Sequence, residues 1–408
     1  MTSVPGEQRL PEQRLPEQRP QTIQQLLREW PPGYGGVERV AHELAMVWGG
    51  AVWSLDAQNR SLSEHDAIPA HYPRRRLART PALGRLVLPL PSPELWSLLR
   101  SDQPLHGHLP SIGVLLVLLL AHLGRPRRRV TAHWHFFFEP ASGFKGCFFS
   151  VYQWLALRVV SWLPGVITTS PLLKAELVRC GCRPERVAVL SCCLSHDQEA
   201  AAQVATGSMS QPRANRPMRV LFIGRLGSYK RLDWLLHSLA SVKGSWSLDV
   251  VGDGPRRAEF EALSRELTST HRDRVVRFHG RLSEADKLTQ LLQADLLVLP
   301  SQSSNEAFGI VQLEAMAAGL PALAFQRWRS GMGWVCQLAD LDWSQTPEDL
   351  PRVLQKLADD PALLCHLGVQ ARLRYEQLFC RSIWLDRLNH WSKPLNRSQT
   401  PVGFRVRG

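Results

Sequence analysis

Residues 296–325 read LLVLPSQSSNEAFGIVQLEAMAAGLPALAF. The run Leu296–Pro300 is short and apolar, which is typical of a strand buried in a parallel sheet. Helical spacing over Phe308–Ala318 ends at Gly319, and a second apolar run covers Pro321–Phe325. A strand, a helix and another strand form a βαβ unit, so this stretch predicts a parallel sheet covered by helices.

The same alternation extends back to residue 218. Each apolar run has the length of a buried strand and is followed by a segment with helical spacing. The predicted strands are Met218–Gly224, Ser247–Val251 and Val275–His279, and the predicted helices are Arg231–Ser241 and Glu284–Ala294. Repeated units of this kind form a doubly wound α/β domain.

The first half of the chain shows a weaker form of this pattern. The predicted strands are Val130–His135, Gly165–Thr169 and Arg186–Leu190, and the predicted helices are Val37–Val47, Ile112–Leu123 and Tyr152–Ser161. We therefore expect two Rossmann-like α/β domains with parallel sheets that face each other across a cleft. Ligands of open α/β sheets bind beyond the carboxyl ends of the strands, so functional residues are expected there.

Polar stretches mark the domain boundaries. Residues 7–20 repeat a Glu-Gln-Arg-Leu-Pro pentad that buries no core, and the polar stretch 196–217 is typical of a linker. The predicted organisation is a disordered leader over 1–21, an N-terminal domain over 22–195, a linker over 196–217, a C-terminal domain over 218–375, a last helix over 376–393 and a loose tail over 394–408.

The charge is basic, with 49 Lys and Arg against 36 Asp and Glu. Ten arginines and only two acidic residues lie in residues 71–129. Such a segment favours an anionic partner, namely a membrane surface, a phosphorylated ligand or nucleic acid, although a solvated basic face explains it equally well. The interleaved aromatic and basic motifs of single-strand binders are absent, so we expect no nucleic acid partner.

Targeting and metal signals are weak. Met1–Pro20 has no apolar core typical of a secretory signal. The longest apolar run, Ile112–Ala121, is about half the roughly 20 residues that span a bilayer. A cytoplasmic location with reduced thiols is therefore expected. The spacing of Cys180, Cys182, Cys192 and Cys193 is not that of zinc-binding pairs, so no metal site is predicted.

The loop after the strand Leu296–Pro300 contains the strongest functional signal. Phe308–Ile310 open the predicted helix, whose free N–H groups suit a phosphate, and Gly309 lets that backbone approach a ligand. Glu314 lies eight residues after Glu306, so both carboxylates can face one ligand. The structural alternative is one helix-stabilising glutamate and one solvated glutamate.

This loop and helix resemble the E-x7-E signature of the retaining glycosyltransferases of family four, which have the GT-B fold. The segment Ile223–Asp233, IGRLGSYKRLD, resembles the family's G-R-x4-K segment. Val250–Pro255 and Phe278–Leu282 resemble its next two strand ends. The resemblance implies a C-terminal domain that binds a nucleotide sugar and an N-terminal domain on the acceptor side.

The resemblance also implies roles for the donor-side residues. Arg225 and Lys230 would bind the donor diphosphate, together with the amides of Phe308, Gly309 and Ile310. Glu306 would contact the transferred sugar, and Glu314 would hold the ribose. Two fixed cations and a helix N-terminus can stabilise a leaving nucleoside diphosphate without a metal ion. An ordinary surface lysine is the structural alternative for Lys230.

The N-terminal half resembles the same family in a glycine-rich loop. Trp30–Glu38, WPPGYGGVE, resembles the family's Pro-x-x-Gly-Gly-x-Glu loop. The resemblance places Gly35 and Gly36 beside the donor phosphates and Tyr34 on the acceptor side. A plain glycine-rich turn before a helix is the structural alternative.

Two histidine segments extend the likeness. Leu105–Pro110, LHGHLP, resembles the family's H-x-H segment, and Val130–His133 resembles the next strand, whose last histidine faces the donor sugar. His133 is therefore the implied catalytic histidine and His135 the second choice. His106, His108 and His135 are assigned to the acceptor side.

Other segments add detail to the resemblance. The family's Pro-Asn-Gly segment is replaced by Ser191–Leu194, SCCL, which puts the acceptor side in question. Arg329–Val335 resembles a glycine-rich segment of mannosyl- and rhamnosyl-transferring members. Trp384, Leu388 and Trp391 form the apolar stripe of a last helix, which in GT-B enzymes crosses back to the N-terminal domain. An amphipathic core helix fits this spacing equally well.

The resemblance implies a metal-independent, retaining hexosyltransferase that needs no cofactor besides its nucleotide-sugar donor. The acceptor would be a saccharide or a lipid-linked saccharide, in surface polysaccharide or glycolipid synthesis. The arginine-rich segment 71–129 would hold the enzyme on the anionic inner face of a membrane. The alternatives are a sugar-nucleotide epimerase or a phosphorylase of the same fold, and a non-catalytic protein that binds sugar nucleotides or nucleic acid.

Overall fold

The computed structural model describes residues 22–30, 35–58, 70–84, 86–139, 142–206 and 216–392. These residues form two parallel β-sheets, each covered by helices. The predicted fold class, two α/β domains with parallel sheets, is confirmed. The predicted leader over 1–21 and tail over 394–408 lie outside the described residues, as does Tyr34.

The N-terminal sheet has seven parallel strands in the order β3-β2-β1-β4-β5-β6-β7. The strands are β1 (Gln24–Leu27), β2 (Val52–Ser54), β3 (Arg74–Arg76), β4 (Leu105–Leu109), β5 (Val130–Trp134), β6 (Gly165–Thr168) and β7 (Val187–Val189). The strand order reverses between β1 and β4. The loops after these two strands therefore diverge and leave a crevice at the carboxyl edge of the sheet.

The C-terminal sheet has five parallel strands in the order β10-β9-β8-β11-β12. The strands are β8 (Met218–Ile223), β9 (Trp246–Val251), β10 (Arg274–Gly280), β11 (Leu296–Leu299) and β12 (Ala322–Ala324). Here the order reverses between β8 and β11. The loops that carry the two main motifs of the sequence follow these two adjacent strands.

The helices surround both sheets. In the N-terminal half they are α1 (Gly36–Trp48), α2 (Pro93–Arg100), α3 (Ile112–Gly124), α4 (Gly143–Trp162), α5 (Pro171–Arg179) and α6 (His196–Thr206). In the C-terminal half they are α7 (Leu232–Ser241), α8 (Arg257–Thr268), α9 (Glu284–Gln293), α10 (Val311–Ala317), α11 (Met332–Val335), α12 (Leu350–Asp359), α13 (Pro361–Leu378) and α14 (Arg381–Ser392). None of the helices described is long and apolar enough to cross a membrane.

The predicted linker is partly helical. His196–Thr206 form α6, which packs against α9 and α10 of the C-terminal domain. Alanines favour a helix here, and Glu199 accepts hydrogen bonds from the Tyr375 hydroxyl (2.8 Å) and the Arg381 backbone N–H (3.1 Å). These contacts attach α6 to the body of the protein.

The last helix, α14, ends against the N-terminal sheet. The ring of Trp391 stacks on Trp48 with centroids 5.9 Å apart, and the Arg129 guanidinium donates to the Trp391 carbonyl (2.9 Å). At the start of α14, Arg381 forms an ion pair with Glu43 of α1 at 2.6 Å. The helix therefore connects the two domains at both of its ends.

Candidate functional site

The carboxyl edges of the two sheets face each other, and their loops are in contact. The Ser304 backbone N–H, after β11, donates to Glu139 at 2.5 Å, and its hydroxyl donates to the Phe137 carbonyl at 3.0 Å. Arg329 forms an ion pair with Glu176 of α5 at 2.5 Å. These contacts bring the motif after β11 against the loop that follows β5.

Lys230 and Glu306 form an ion pair at the point where the strand order of the C-terminal sheet reverses. The Lys230 side chain is only 10% exposed and passes over Gly224, so a Cβ at residue 224 would lie 3.4 Å from the lysine Cε. Burial alone would lower the pKa of Lys230, but the Glu306 carboxylate outweighs burial and the pKa lies above its usual value. The lysine is therefore a fixed cation in the cleft.

Arg225, the second predicted cation, lies on the loop after β8 and is exposed. It forms no ion pair within the part of the chain that the structure describes. Arg225 and Lys230 therefore share one loop but differ in environment. The first is solvated and the second is held by Glu306.

Glu314 is buried in the first turn of α10 between two cations. Its carboxylate lies 3.2 Å from Arg39 of α1 and 3.0 Å from Lys287 of α9. Burial lowers the pKa of Arg39, but the carboxylates of Glu314, Glu284 and Glu43 together raise it above its usual value. Glu306 and Glu314 thus have different partners, and Glu314 joins the two domains across the cleft.

The helix after the Glu306 loop begins later than predicted. Its first residue is Val311, not Phe308, because Gly309 has φ 73° and interrupts a helix at that point. Phe308 is buried and its ring packs edge-on against Phe379, with centroids 6.0 Å apart. The expectation that Phe308–Ile310 form the first turn of the helix is therefore wrong.

The glycine loop of the N-terminal domain faces the same segment. Gly35 caps α1, and a Cβ added to Gly36 would lie 3.6 Å from the Ile310 side chain across the cleft. A side chain at Gly35 would overlap the Glu38 carboxylate, since the added Cβ would lie 2.2 Å from it. The structure therefore brings the two predicted glycines and Ile310 together.

The four predicted histidines lie close together on β4 and β5 and directly after β5. His108, His133 and His135 form a stack, and His106 packs edge-on against His108 and His133. The rings of His133 and His135 are nearly parallel with centroids 4.1 Å apart, and His108 stacks on both. His106 donates to or accepts from the Thr131 hydroxyl at 2.8 Å. None of the four residues is more than 5% exposed.

Burial sets the charge of this histidine stack. It lowers the pKa of His108 to about 3 and the pKa values of His106, His133 and His135 well below the usual value. All four imidazoles are therefore neutral at pH 7. The His133 ring stacks on that of His135, and neither of its ring nitrogens has a hydrogen-bond partner among the described residues.

Three of these histidines have nitrogens close enough for a metal ion. Ring nitrogens of His108, His133 and His135 lie within 4.8 Å of one another. An imidazole binds a metal in the plane of its ring, along the nitrogen lone pair. Because the His133 and His135 planes are only 6° apart and stacked, one ion could not lie in both planes unless a ring rotated.

An aromatic pocket, not expected from the sequence, opens beside the histidines. Phe136, Phe138, Phe149 and Tyr152 line one side of it, and Glu38 lies on the polar side. The Phe138 ring contacts those of Phe149 and Tyr152 at 5.1 and 6.0 Å. The run of three phenylalanines after β5 was the available sequence signal, but only the fold shows that two of them face a pocket.

Several buried polar groups at strand ends have no hydrogen-bond partner among the residues that the structure describes. They are the hydroxyls of Thr169 after β6, Ser191 after β7 and Ser301 after β11. Buried polar groups are usually hydrogen-bonded. These hydroxyls lie at the carboxyl ends of strands in both sheets, where ligands of α/β domains bind.

Comparison with known proteins agrees with this geometry. Residues 34–198 match the family model "Glycosyltransferase Family 4", and residues 208–337 match "Glycosyl transferases group 1". The crystal structure of Anabaena Alr3699/HepE in complex with UDP superposes with a TM-score of 0.66 over 91% of this chain and 99% of that one, at 18% identity. The chain has a GT-B fold of the family-four type. Its cleft is the interdomain cleft of that fold.

Curated relatives match part of this GT-B chain. It is 33% identical over 173 residues to a D-inositol 3-phosphate glycosyltransferase of Streptomyces avermitilis, covering 39% of this chain and 36% of that protein. It is 27% identical over 226 residues to the D-rhamnosyltransferase WbpZ of Pseudomonas aeruginosa, covering 54% and 55%. The chain thus spans between about a third and about half of the length of these relatives.

Sequence reasoning missed Arg39, Lys287 and Glu176, and it noted Arg329 only as the start of a glycine-rich segment. All four are charged side chains with buried or half-buried partners at the cleft of the GT-B fold. A lone arginine or lysine on a predicted helix is normally solvated, so the sequence offers no signal for them. Their partners become clear only when the domains face each other.

Proposed function

We propose that this protein is a retaining, metal-independent glycosyltransferase that moves a hexosyl group from a nucleoside diphosphate sugar to an acceptor hydroxyl. The bond between the anomeric carbon and the diphosphate oxygen breaks, a bond to the acceptor oxygen forms on the same face, and the acceptor proton passes to the leaving phosphate. The Lys230–Glu306 pair at the strand-order reversal is the observation that carries the proposal.

The described charges fit this reaction. Lys230, with Arg225 on the same loop, offsets the negative charge that develops on the leaving diphosphate, so the chain's own cations supply what a metal ion would. Glu306 lies where it can stabilise a cationic anomeric centre. Glu314 is the ribose ligand, and it has to leave Arg39 or Lys287 in order to accept sugar hydroxyls.

The aromatic pocket supports an acceptor with an apolar part. Phe136, Phe138, Phe149 and Tyr152 offer stacking faces to a sugar ring or to the first carbons of a lipid, and Glu38 offers a carboxylate to sugar hydroxyls. A saccharide or lipid-linked saccharide therefore fits best. Such acceptors are used in glycoconjugate synthesis at a membrane, so we place the protein there as a peripheral enzyme of the cytoplasmic side.

Glu306→Gln tests the assignment. Loss of the charge should lower the kcat of sugar transfer at least about 100-fold, as for other groups that stabilise charge in a transition state. Glu348→Gln, at an exposed position of the same domain, is the matched control and should leave kcat unchanged. Full activity of the Glu306 variant would refute the role.

A thermal-shift panel of nucleoside diphosphates and their sugars identifies the donor. A ligand at about 100 times its Kd should stabilise the protein by about 2.7 kcal/mol. A transferase forms product only when an acceptor is present, whereas an epimerase needs no acceptor. A reaction rate that does not change when inorganic phosphate is added excludes a phosphorylase. No shift with any nucleotide would contradict the proposed donor site.

A further inference from the structure

The arginine-rich segment 71–129 does not itself form a free basic surface. Five of its guanidinium groups bind other groups of the protein, namely those of Arg76, Arg79, Arg125, Arg128 and Arg129. Arg128 is buried, and Arg129 lies under α14. These bound arginines therefore do not supply a surface that contacts a membrane. Such a surface has to be sought in the exposed apolar side chains of the N-terminal domain, on α2 and α3 within this segment and on α4 beyond it.

The outward side of α4 is apolar where a solvated helix would be polar. Its inward side is buried against the domain, yet large apolar side chains also point away from it. Phe148, Val151, Trp154, Leu155 and Trp162 are 42%, 58%, 60%, 50% and 59% exposed. Phe148, Val151, Leu155 and Trp162 are 3, 4 and 7 residues apart and so lie in one stripe along the helix, with Trp154 at its edge. A stripe of this kind indicates contact with an apolar partner.

The neighbouring helices continue this surface. Leu116, Leu120 and Leu123 form an exposed stripe on α3, and Trp96 of α2 is 53% exposed. The helices are adjacent, since α3 packs against both α2 and α4. Nine of the eighteen exposed large apolar side chains in the described part of the chain lie on these three helices. We call their outward side the outer helix face.

The charges around the outer helix face are basic. Residues 93–162 contain seven Lys and Arg against three Asp and Glu. Without Arg125 and its partner Asp102, and without Arg128 and Arg129, which bind other groups of the protein, four basic and two acidic residues remain, and α4 contains no acidic residue. The guanidinium groups of Arg100 and Arg158 lie over the rings of Trp96 and Trp154, 5.8 and 5.6 Å from the ring centroids. Tryptophan rings and arginine head groups on an apolar surface match the headgroup region of an anionic bilayer.

We propose that the outer helix face docks on the surface of an anionic lipid bilayer, with α4 lying in the plane of the interface. This proposal specifies how the peripheral location proposed above arises, and it does not depend on the donor chemistry. Phe149 and Tyr152 of the same helix line the aromatic pocket. Docking through α4 therefore places the mouth of that pocket beside the lipid, where a lipid-linked acceptor is held.

Vesicle sedimentation of the full chain tests the proposal. The protein should pellet with equimolar phosphatidylcholine and phosphatidylglycerol vesicles and much less with phosphatidylcholine alone. Trp154→Gln with Trp162→Gln should lower the partition coefficient at least about tenfold, because two large apolar side chains are lost from the interface. Arg158→Gln should weaken binding to the anionic vesicles only.

The control is Val369→Gln with Leu373→Gln on α13, where two apolar side chains are 56% and 49% exposed in the other domain. This variant should bind vesicles as the wild type does. Equal loss in the control, or no binding of the wild type to anionic vesicles, would overturn the proposal. Quenching of wild-type tryptophan fluorescence by brominated lipids gives a readout that needs no variant, and absence of quenching would also count against it.

The alternative partner for the outer helix face is a second copy of the chain. If the Trp154 and Trp162 variant turns a dimer into a monomer in analytical ultracentrifugation while vesicle binding is unchanged, the face is a dimer interface and the proposal fails. The nucleotide thermal-shift panel is measured on the same samples. A retained nucleotide shift without vesicle binding would refute the docking surface and leave the proposed transferase function standing.

Discussion

At the scale of single residues, the cleft is organised by charged side chains that are held by opposite charges. Lys230 is held by Glu306, and Glu314 is held by Arg39 and Lys287. A half-buried charge without a partner would lose much of its solvation. The ion pairs therefore keep the cleft stable without ligand, and in the proposed function a bound donor would replace some of them with its phosphates and hydroxyls.

The histidine stack makes stability depend on pH. The pKa of His133 is lowered in the folded protein because the ring is fully buried, so the unfolded chain binds the proton more tightly. The neutral ring makes its full contribution to the free energy of unfolding above about pH 6.5, the approximate pKa of histidine in the unfolded chain. That contribution falls as the pH drops below this value, by up to about 1.4 kcal/mol per pH unit. His133→Phe should therefore reduce the loss of unfolding free energy between pH 7 and pH 5.

Urea unfolding followed by circular dichroism at several pH values measures this effect. His133 has no hydrogen-bond partner among the described residues, so phenylalanine replaces its ring without breaking a bond. His196→Gln, at an exposed position on α6, is the control and should keep the wild-type pH dependence. An unchanged slope in the His133 variant would show that this ring is protonated without unfolding.

At the scale of elements, Gly309 sets the start of α10. It has φ 73°, and an added Cβ would lie 2.5 Å from the Leu299 side chain. Gly319, at the other end of the same helix, has φ 69° and nothing within 4 Å of an added Cβ. In both alanine variants the left-handed backbone conformation costs about 1–2 kcal/mol. Only in Gly309→Ala does the new Cβ also clash with a neighbouring side chain.

We therefore expect Gly309→Ala to lower the unfolding free energy by at least about 1 kcal/mol more than Gly319→Ala does, since overpacking costs typically 1–3 kcal/mol. Thermal or urea unfolding of the two variants measures the difference. Equal destabilisation would mean that Leu299 moves aside freely. The glycine would then be needed for its backbone conformation alone.

At the scale of the whole molecule, ion pairs across the cleft favour the closed arrangement of the domains. Arg329 pairs with Glu176 of α5, whose carboxylate also binds Arg179 of the same helix. Glu176→Gln should shift the closed–open equilibrium toward open by about 1.4-fold to fivefold, since partly exposed ion pairs contribute roughly 0.2–1 kcal/mol. Small-angle scattering should then give a larger radius of gyration.

Arg179→Gln is the matched control because Arg179 binds the same carboxylate but does not cross the cleft. It should leave the radius of gyration unchanged. A Glu176 variant as compact as the wild type would show that other contacts, such as those of Ser304 with the loop after β5, are sufficient to hold the domains together.

Much of the fold could be predicted because strongly apolar runs of the right length are local signals. The strands from β8 to β12 and their helices lie close to the predicted ranges, since β8 and β11 are nearly continuous apolar runs and the other three contain shorter ones. The weak points were β1, which buries Gln24 and Gln25, and β3, which consists of three arginines. Neither pattern indicates a strand, because glutamine and arginine are polar. Both segments become strands only by pairing with neighbouring strands that lie more than 20 residues away in the chain.

The local sequence accounts for the two α/β domains, the loop with Glu306 and the Lys230 segment, since apolar period, glycine and charge act over a few residues. Only the tertiary structure shows that Glu314 is held by Arg39 and Lys287, that His133 lies buried under His135, and that α4 exposes an apolar stripe. These features depend on how whole elements pack, as for Arg39 and Glu314, which lie 275 positions apart, and on what remains uncovered. Such contacts follow from packing whole elements together, and no single stretch of sequence contains them.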